Sequence, residues 1–183
     1  MAELDKDLTA VFSTLDSLLA GTNLDKVSAD GVGREDLPDG YYLSELTKAK
    51  LTVSKSSGNP MIVLEFKTTE DGFDVQFDAK GNVKLASIDK TSGRSFTVFY
   101  PLSDEQKVKR AIADLLKFEE TEGQSLLTKE YFANSELLSE ALNILVGMRI
   151  YVQATTSEAK DGTKTVWQNL VSWKRVKALG LPM

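Results

Sequence analysis

The chain has 183 residues, of which 42% are hydrophobic and 27% charged, a composition typical of a folded globular domain. It contains no Cys and no His, which excludes a thiolate nucleophile, a disulfide, an imidazole base and an ordinary zinc site. The formal net charge of −5 argues against a protein that holds nucleic acid through overall positive charge alone.

The charges are unevenly distributed. Residues 1–36 carry eight acidic and three basic residues, and the remaining 19 acidic and 19 basic residues of the chain cancel. Residues 159–183 carry five basic residues against one acidic residue. The acidic and basic excesses therefore lie at opposite ends of the chain.

The N-terminal region predicts an amphipathic helix followed by a linker. Apolar residues recur at three- and four-residue spacings over residues 4–20, and residues 21–40 are polar and end in the turn sequence Leu-Pro-Asp-Gly. We expect the helix either to dock on the folded body or to form a homo-oligomer by pairing with its copy. The acidic segment could also cover a basic groove as a nucleic-acid mimic, or recruit a partner.

Three strands are predicted next. Residues 41–53 and 61–68 alternate apolar and polar side chains around a turn at 54–60, so we expect an antiparallel hairpin with Ile62, Leu64 and Phe66 in the core. Residues 70–93 form a polar excursion with room for a small hairpin. Residues 94–100 form the third strand.

Helices then interrupt the strands. Ser103 and Gln106 fit a capping box ahead of an apolar stripe that reaches Phe118. A short segment around Tyr131 precedes a helix over residues 135–146, which Gly147 ends. Strands resume at 148–153 and, after a turn at 160–162, at 165–173.

This order predicts a mainly β fold with accessory helices. Three strands, a helix and a terminal hairpin are the order of the oligonucleotide/oligosaccharide-binding (OB) barrel, so we predict a five-stranded antiparallel OB-like barrel plus an N-terminal helix. An antiparallel sandwich or an α+β sheet is the alternative. The predicted division is an acidic helix and linker over 1–36 and an OB-like domain over 37–183.

One motif hints at catalysis. Glu65-Phe66-Lys67 could place a carboxylate beside an ammonium group at a nuclease metal site, with Glu45 or Asp39 as a further ligand. A charged pair on a solvent-facing strand explains the motif more simply. We therefore expect no enzymatic activity, no metal and no cofactor.

Aromatic and basic residues on the last three strands point to single-stranded nucleic acid. Unstacked bases regain stacking energy on flat side chains, and Lys and Arg follow the phosphates. Phe99, Tyr151 and Trp167 are the preferred stacking residues because they share strand faces with polar neighbours, whereas Phe96, Val98, Ile150 and Val152 should line the core. The complete set of predicted nucleic-acid-binding residues is Lys55, Arg94, Phe99, Arg149, Tyr151, Lys164, Trp167 and Lys174.

Two stretches, residues 37–66 and 145–176, resemble the phage-encoded single-stranded DNA-binding proteins of the OB-fold type. The similarity rests on turn and strand signatures at Leu37, Pro38, Gly40, Tyr41, residues 54–61, residues 147–150, Asp161, Gly162, Trp173 and Lys174. It implies non-catalytic, largely sequence-independent binding of single-stranded DNA during phage DNA replication or recombination.

Other expectations concern partners and location. Replication or recombination proteins are the implied partners, but residues 177–183 are not the acidic tail through which bacterial single-strand binders recruit theirs. The N-terminus lacks the pattern of a signal peptide and no apolar stretch would span a membrane, so we expect a cytoplasmic protein, in the host cytoplasm if phage-encoded. The alternative function is a protein-interaction or virion-structural domain without nucleic-acid binding.

Overall fold

The computed structural model describes residues 27–28, 31–32, 36–121 and 124–183. The chain divides into two units, Met1–Asp36 and Leu37–Met183. In the first unit, β1 (Val27–Ser28) and β2 (Gly31–Val32) form an antiparallel pair. The helix predicted over residues 4–20 lies outside the described residues.

The described part of the second unit is built on one antiparallel sheet of seven strands. These strands are β3 (Gly40–Val53), β4 (Pro60–Thr68), β5 (Gly72–Phe77), β6 (Val83–Ile88), β7 (Ser95–Pro101), β10 (Arg149–Glu158) and β11 (Lys164–Leu170). Their order is β11-β10-β3-β4-β7, and β5 and β6 form a hairpin attached to β3. The prediction of a mainly β chain with an antiparallel sheet is thus confirmed, and the excursion at 70–93 contains a hairpin.

Strand β3 joins two halves of the sheet. Its residues 40–45 pair with β10 and its residues 44–53 pair with β4, with an irregularity at Thr47. Tyr42 and Leu46 face the core before this bulge, whereas Ala49 faces it afterwards, so the inward-facing positions change from even to odd numbers. Bulges bend a strand and increase its twist. The sheet therefore turns at Thr47.

The sheet is open between β7 and β11. Among the described strands, β7 pairs with β4 and β11 pairs with β10, and no pairing joins β7 to β11. The closed barrel expected from the sequence is not found.

Helices cover the inner face of the sheet. They are α1 (Glu105–Leu115) and α2 (Ser135–Leu145); between them lie the short strands β8 (Glu119–Thr121) and β9 (Gln124–Ser125) and a 3-10 turn (Lys129–Phe132). The main core combines inner sheet residues with one face of each helix, and the rings of Phe66 and Phe96 stack at 5.4 Å. No helix of the described residues is long and apolar enough to cross a membrane.

The helix boundaries correct one prediction. Asp104, not Ser103, caps α1, because its carboxylate accepts a hydrogen bond of 2.9 Å from the backbone N–H of Lys107. Asn134 caps α2 in the same way through Leu137. At the end of α2, Gly147 adopts a φ of +87°, a conformation that favours glycine.

The last strand is shorter than predicted. Strand β11 ends at Leu170, and Trp173–Ala178 forms a helix, α3. The strand-like alternation continues in the sequence to Trp173, but burial within and after Trp173–Ala178 follows a helical spacing instead, with Val176 and Leu179 buried. Val176 of α3 and the following Leu179 are buried in a second cluster with Tyr41 and Tyr151.

Candidate nucleic-acid interface

A cleft of about 240 Å³ lies between the unpaired sides of β7 and β11. Its walls include Phe99 from β7 and Trp167 from β11, and α1 contributes Lys107 and Arg110. Phe99 is 58% exposed and Trp167 57% exposed. Two aromatic residues predicted from sequence as stacking residues therefore line one cleft, together with two cationic side chains.

Strand alternation explains why these rings face outward. Phe99 lies between Val98 and Tyr100, which are both buried in the core. Trp167 lies opposite Thr155 of β10, and its indole N–H donates a hydrogen bond of 2.7 Å to the hydroxyl oxygen of Ser157. This bond restrains the indole plane and leaves more than half of the side chain open to solvent.

The cations lie one helical turn apart on the exposed side of α1. The ammonium group of Lys107 lies 3.1 Å from the Asp104 carboxylate and donates a hydrogen bond of 2.8 Å to the hydroxyl of Ser103. Arg110 is exposed and lines the same cleft. Spacing of three residues places both side chains on one face of the helix.

A polar chain joins the two walls of the cleft. The hydroxyl of Tyr100 donates a hydrogen bond of 2.9 Å to Asp114, whose other carboxylate oxygen lies 2.5 Å from the Lys117 ammonium group. Lys117 in turn donates a hydrogen bond of 2.8 Å to the backbone carbonyl of Leu170 at the end of β11. Burial, followed by the negative charge of Asp114, raises the pKa of the Tyr100 hydroxyl. Thus Asp114 of α1 and Lys117, which follows the helix, connect β7 to β11, two strands that no pairing joins.

Tyr151 does not belong to this interface, which corrects the prediction that it stacks a base. It is only 4% exposed because α3 and the residues after it cover this part of the outer sheet face. Its hydroxyl donates a hydrogen bond of 2.8 Å to the backbone carbonyl of Pro182. Burial, with a smaller contribution from the negative charge of Glu70, raises the pKa of Tyr151 to about 12.

The predicted basic residues are dispersed. Lys55 is exposed in the turn after β3, Lys164 begins β11, and Lys174 is exposed on α3. Arg149 lines a separate, mainly apolar pocket of about 170 Å³. Arg94 precedes β7, and its guanidinium group donates a hydrogen bond of 3.1 Å to the carbonyl of Lys90. None of these five side chains is among the described residues that line the cleft.

Sequence reasoning missed Lys107 and Arg110. The apolar stripe of α1 predicts the helix but assigns no role to its polar face. The available signal was the Lys-x-x-Arg spacing on the face opposite to the stripe. That signal alone does not indicate which strands lie beside the helix.

Two of the three acidic residues considered for a nuclease site, Glu65 and Asp39, have another partner. The Glu65 carboxylate lies 3.9 Å from the Lys48 ammonium group, Glu45 lies opposite Lys67 in the ladder, and Asp39 accepts a hydrogen bond from the backbone N–H of Thr156. Within the described ranges, no group of three or more acidic side chains is placed to hold a metal ion.

Comparison of the chain with protein-family models and with curated proteins finds no match.

Proposed function

We propose that this chain is a non-catalytic single-stranded DNA-binding protein of the OB type with little sequence preference. The observation that carries the proposal is the cleft between β7 and β11, in which Phe99 and Trp167 face solvent beside Lys107 and Arg110. The strand order supports it. Numbered along the chain without the inserted hairpin, the sheet runs 5-4-1-2-3 with a helix between the third and fourth strands, as in a partly open OB barrel.

Stacking explains why a single strand is the favoured ligand. A duplex hides the faces of its bases, whereas a single strand can place them on aromatic rings, for about 1–3 kcal/mol per base. Phe99 and Trp167 together would supply about 2–6 kcal/mol, before any phosphate contact. Every base has a π face, so this mode of binding discriminates little among sequences.

Charge explains the expected salt dependence. Lys107 and Arg110 offer phosphate contacts at the cleft although the whole chain has a net charge of −5. Each phosphate contact on a single strand adds about −0.7 to the slope of log affinity against log salt concentration. Replacing either cation by Gln should reduce the slope by about 0.7, whereas Phe99→Ala should leave it unchanged.

The biological role is part of the proposal and rests on the resemblance of residues 37–66 and 145–176 to phage-encoded single-strand binders. We place the protein in phage DNA replication or recombination in the host cytoplasm, where it would protect displaced strands. Replication or recombination proteins are its proposed partners.

The direct test is binding of a fluorescent oligodeoxythymidine at low and moderate salt, with duplex DNA and RNA as competitors. Phe99→Ala and Trp167→Ala should each weaken binding roughly 5-fold to 150-fold, the equivalent of one lost stacking contact. Val53→Ala is the control, because Val53 is 60% exposed and lies outside the cleft. Lys129→Gln is the matching control for Lys107→Gln, since Lys129 is an exposed lysine of the 3-10 turn.

A second readout reports on the ring itself. In a Trp173→Phe background, Trp167 is the one remaining tryptophan, and bound DNA should quench its fluorescence. Absence of binding at low salt would refute the proposal and favour the protein-interaction or virion-structural alternative. Equal affinity for duplex DNA would refute the stacking mechanism.

A further inference from the structure

A third exposed ring lies outside the cleft, on the β5–β6 hairpin. Among the described residues, three aromatic side chains are more than half exposed: Phe77, Phe99 and Trp167. Phe77 is the most exposed of them, at 64%. A single exposed phenylalanine is common on protein surfaces and by itself indicates no function. What distinguishes Phe77 is the groove that it lines, which reaches Thr155, the ladder partner of Trp167.

The hairpin is anchored at its base and free at its tip. Phe73, Val75 and Leu85 near the base pack against the cluster formed by α3 and the outer sheet face. In the strand ladder, the hairpin pairs with β3 at Tyr41 and Phe73, and Gly72 at its base lies against the Tyr42 ring. The distal residues 76–84 are all exposed to solvent.

Hydrogen bonds hold the tip in one conformation. The Asp78 carboxylate accepts bonds of 2.8 Å from the backbone N–H groups of Lys80 and Asn82 and one of 2.9 Å from the Asn82 side chain. Gly81 supplies the φ of +81° that the turn requires. Lys80 is exposed on this fixed turn, and Lys84 is exposed on β6 two residues after Asn82. The tip thus presents two ammonium groups without a large entropic cost of ordering the backbone.

Phe77 is connected to the cleft by a continuous surface. It lines a groove of about 280 Å³ whose other walls include Gln153 and Thr155 of β10 and Arg175 of α3. Thr155 lies directly opposite Trp167 in the β10–β11 ladder, and opposite residues in a ladder are about 5 Å apart. Trp167 also lines the cleft that contains Phe99. The path from Phe99 to Trp167 to Phe77 therefore follows one surface.

The charges along this extension are mixed. Arg175 is exposed and contributes a positive charge to the groove, where it also donates a hydrogen bond of 3.3 Å to the Tyr41 hydroxyl. The groove also contains two carboxylates. Asp39 accepts a hydrogen bond of 2.7 Å from the Thr156 N–H, and Asp74 accepts one of 2.7 Å from the Gln76 side chain. The groove floor thus suits bases better than phosphates, and the lysines at the tip suit phosphates.

We infer that bound single-stranded DNA continues from the cleft across Trp167 and Thr155 to the β5–β6 hairpin, where Phe77 stacks a further base and Lys80 and Lys84 contact phosphates. This inference rests on the proposed function and extends it, because it assigns a second contact region and a direction across the sheet. The competing explanation is that Phe77 only stabilises the hairpin through its ladder partner Val83.

Oligomer length separates the hairpin from the cleft. We would measure the affinity of oligodeoxythymidines from about 4 to about 16 nucleotides, the range of site sizes for one OB fold. Phe77→Ala should leave the affinity for the shortest oligomer unchanged and weaken binding of the longest about fivefold or more, the effect of one lost stack. Lys80→Gln with Lys84→Gln should flatten the salt dependence for the longest oligomer alone.

Two variants distinguish stacking from a structural role. Phe77→Leu keeps an apolar side chain opposite Val83 but removes the flat ring. It should therefore weaken the binding of long oligomers as much as Phe77→Ala does. Val83→Ala removes the ladder partner but keeps the ring, so it should have little effect. The inference is overturned if Phe99→Ala weakens binding while Phe77→Ala does not at any length, or if Val83→Ala reproduces the loss. If the wild-type chain binds no oligomer, the proposed function falls with it.

Discussion

The polar chain between the cleft walls can be tested by removing Lys117. In Lys117→Met, Asp114 keeps the Tyr100 hydroxyl but loses its cation, and the Leu170 carbonyl loses its donor. The Asp114 and Lys117 side chains are 12% and 31% exposed, so most of this interaction is shielded from water.

The expected cost follows from these contacts. A hydrogen bond from a charged donor contributes about 1.5–3 kcal/mol, and breaking a fully buried ion pair costs about 3–5 kcal/mol. Because part of the Lys117 side chain reaches solvent, we expect a loss of about 2–3 kcal/mol in the free energy of unfolding. For a chain of this size, that loss lowers the Tm by roughly 5–10 °C.

Urea unfolding followed by tryptophan fluorescence and circular dichroism measures this loss. Lys109→Met is the matched control, since Lys109 forms a 2.6 Å ion pair with Glu105 on the same helix but both side chains are mostly exposed. We expect that control to change stability by about 0.5 kcal/mol or less. A loss in Lys117→Met no larger than the loss in Lys109→Met would refute the reasoning.

A double-mutant cycle isolates the ion pair. Asp114→Asn keeps an acceptor for Tyr100 but removes the charge that Lys117 neutralises. If the carboxylate is the group left uncompensated, the double variant should lose at least about 1 kcal/mol less than the sum of the two single variants. Additive losses would mean that Lys117 acts only through Leu170.

Two further predictions concern stability. Gly72→Ala should lower the free energy of unfolding by about 2–3 kcal/mol, because its new Cβ would collide with the fully buried ring of Tyr42. Gly58→Ala should lower it by about 1 kcal/mol, because Gly58 has open space around it but a φ of +70°. Equal losses in thermal unfolding would contradict this prediction. Burial raises the pKa of both Tyr42 and Tyr151 to about 12 from the ordinary value of 10.0. The stability that comes from keeping these hydroxyls neutral is complete below about pH 10 and should fall as the pH rises to about 12. Tyr151→Phe should reduce this loss. A free energy of unfolding in urea that stays constant across this pH range would contradict the prediction.

Strand positions could be predicted because each strand has one apolar face. Ile62, Leu64 and Phe66 alternate with more polar neighbours, and they are buried as expected. The hairpin at 72–88 carried a weaker signal. Its Phe73, Val75 and Phe77 also alternate, but only its base packs against the body, so its composition is that of a polar excursion.

The cleft could be predicted only in part. Alternation identified Phe99 and Trp167 as outward-facing, since that property depends on the strand alone. The alternation could not distinguish Tyr151 from Phe99 and Trp167. Tyr151 is buried by α3, and the alternation within a strand gives no information about a helix that packs on that strand. Nor could it place Lys107 in the same cleft as Trp167, because only the tertiary fold brings α1 and β11 to one cleft.

The bulge at Thr47 shifts the inward- and outward-facing positions of β3 by one residue. Residues before Thr47 point inward at even positions to fit β10, and residues after it point inward at odd positions to fit β4. Deleting Thr47 would impose one continuous alternation on the whole strand. Either Tyr42 and Leu46 or Ala49 and Leu51 would then face water. Because the Thr47 hydroxyl donates a hydrogen bond of 2.9 Å to the carbonyl of Glu65, the extra residue is itself tied to the neighbouring strand. That hydrogen bond is exposed to solvent and contributes only about 0.5–1.5 kcal/mol, whereas a deletion would turn one set of core side chains outward, so substitutions at Thr47 should be tolerated where a deletion is not.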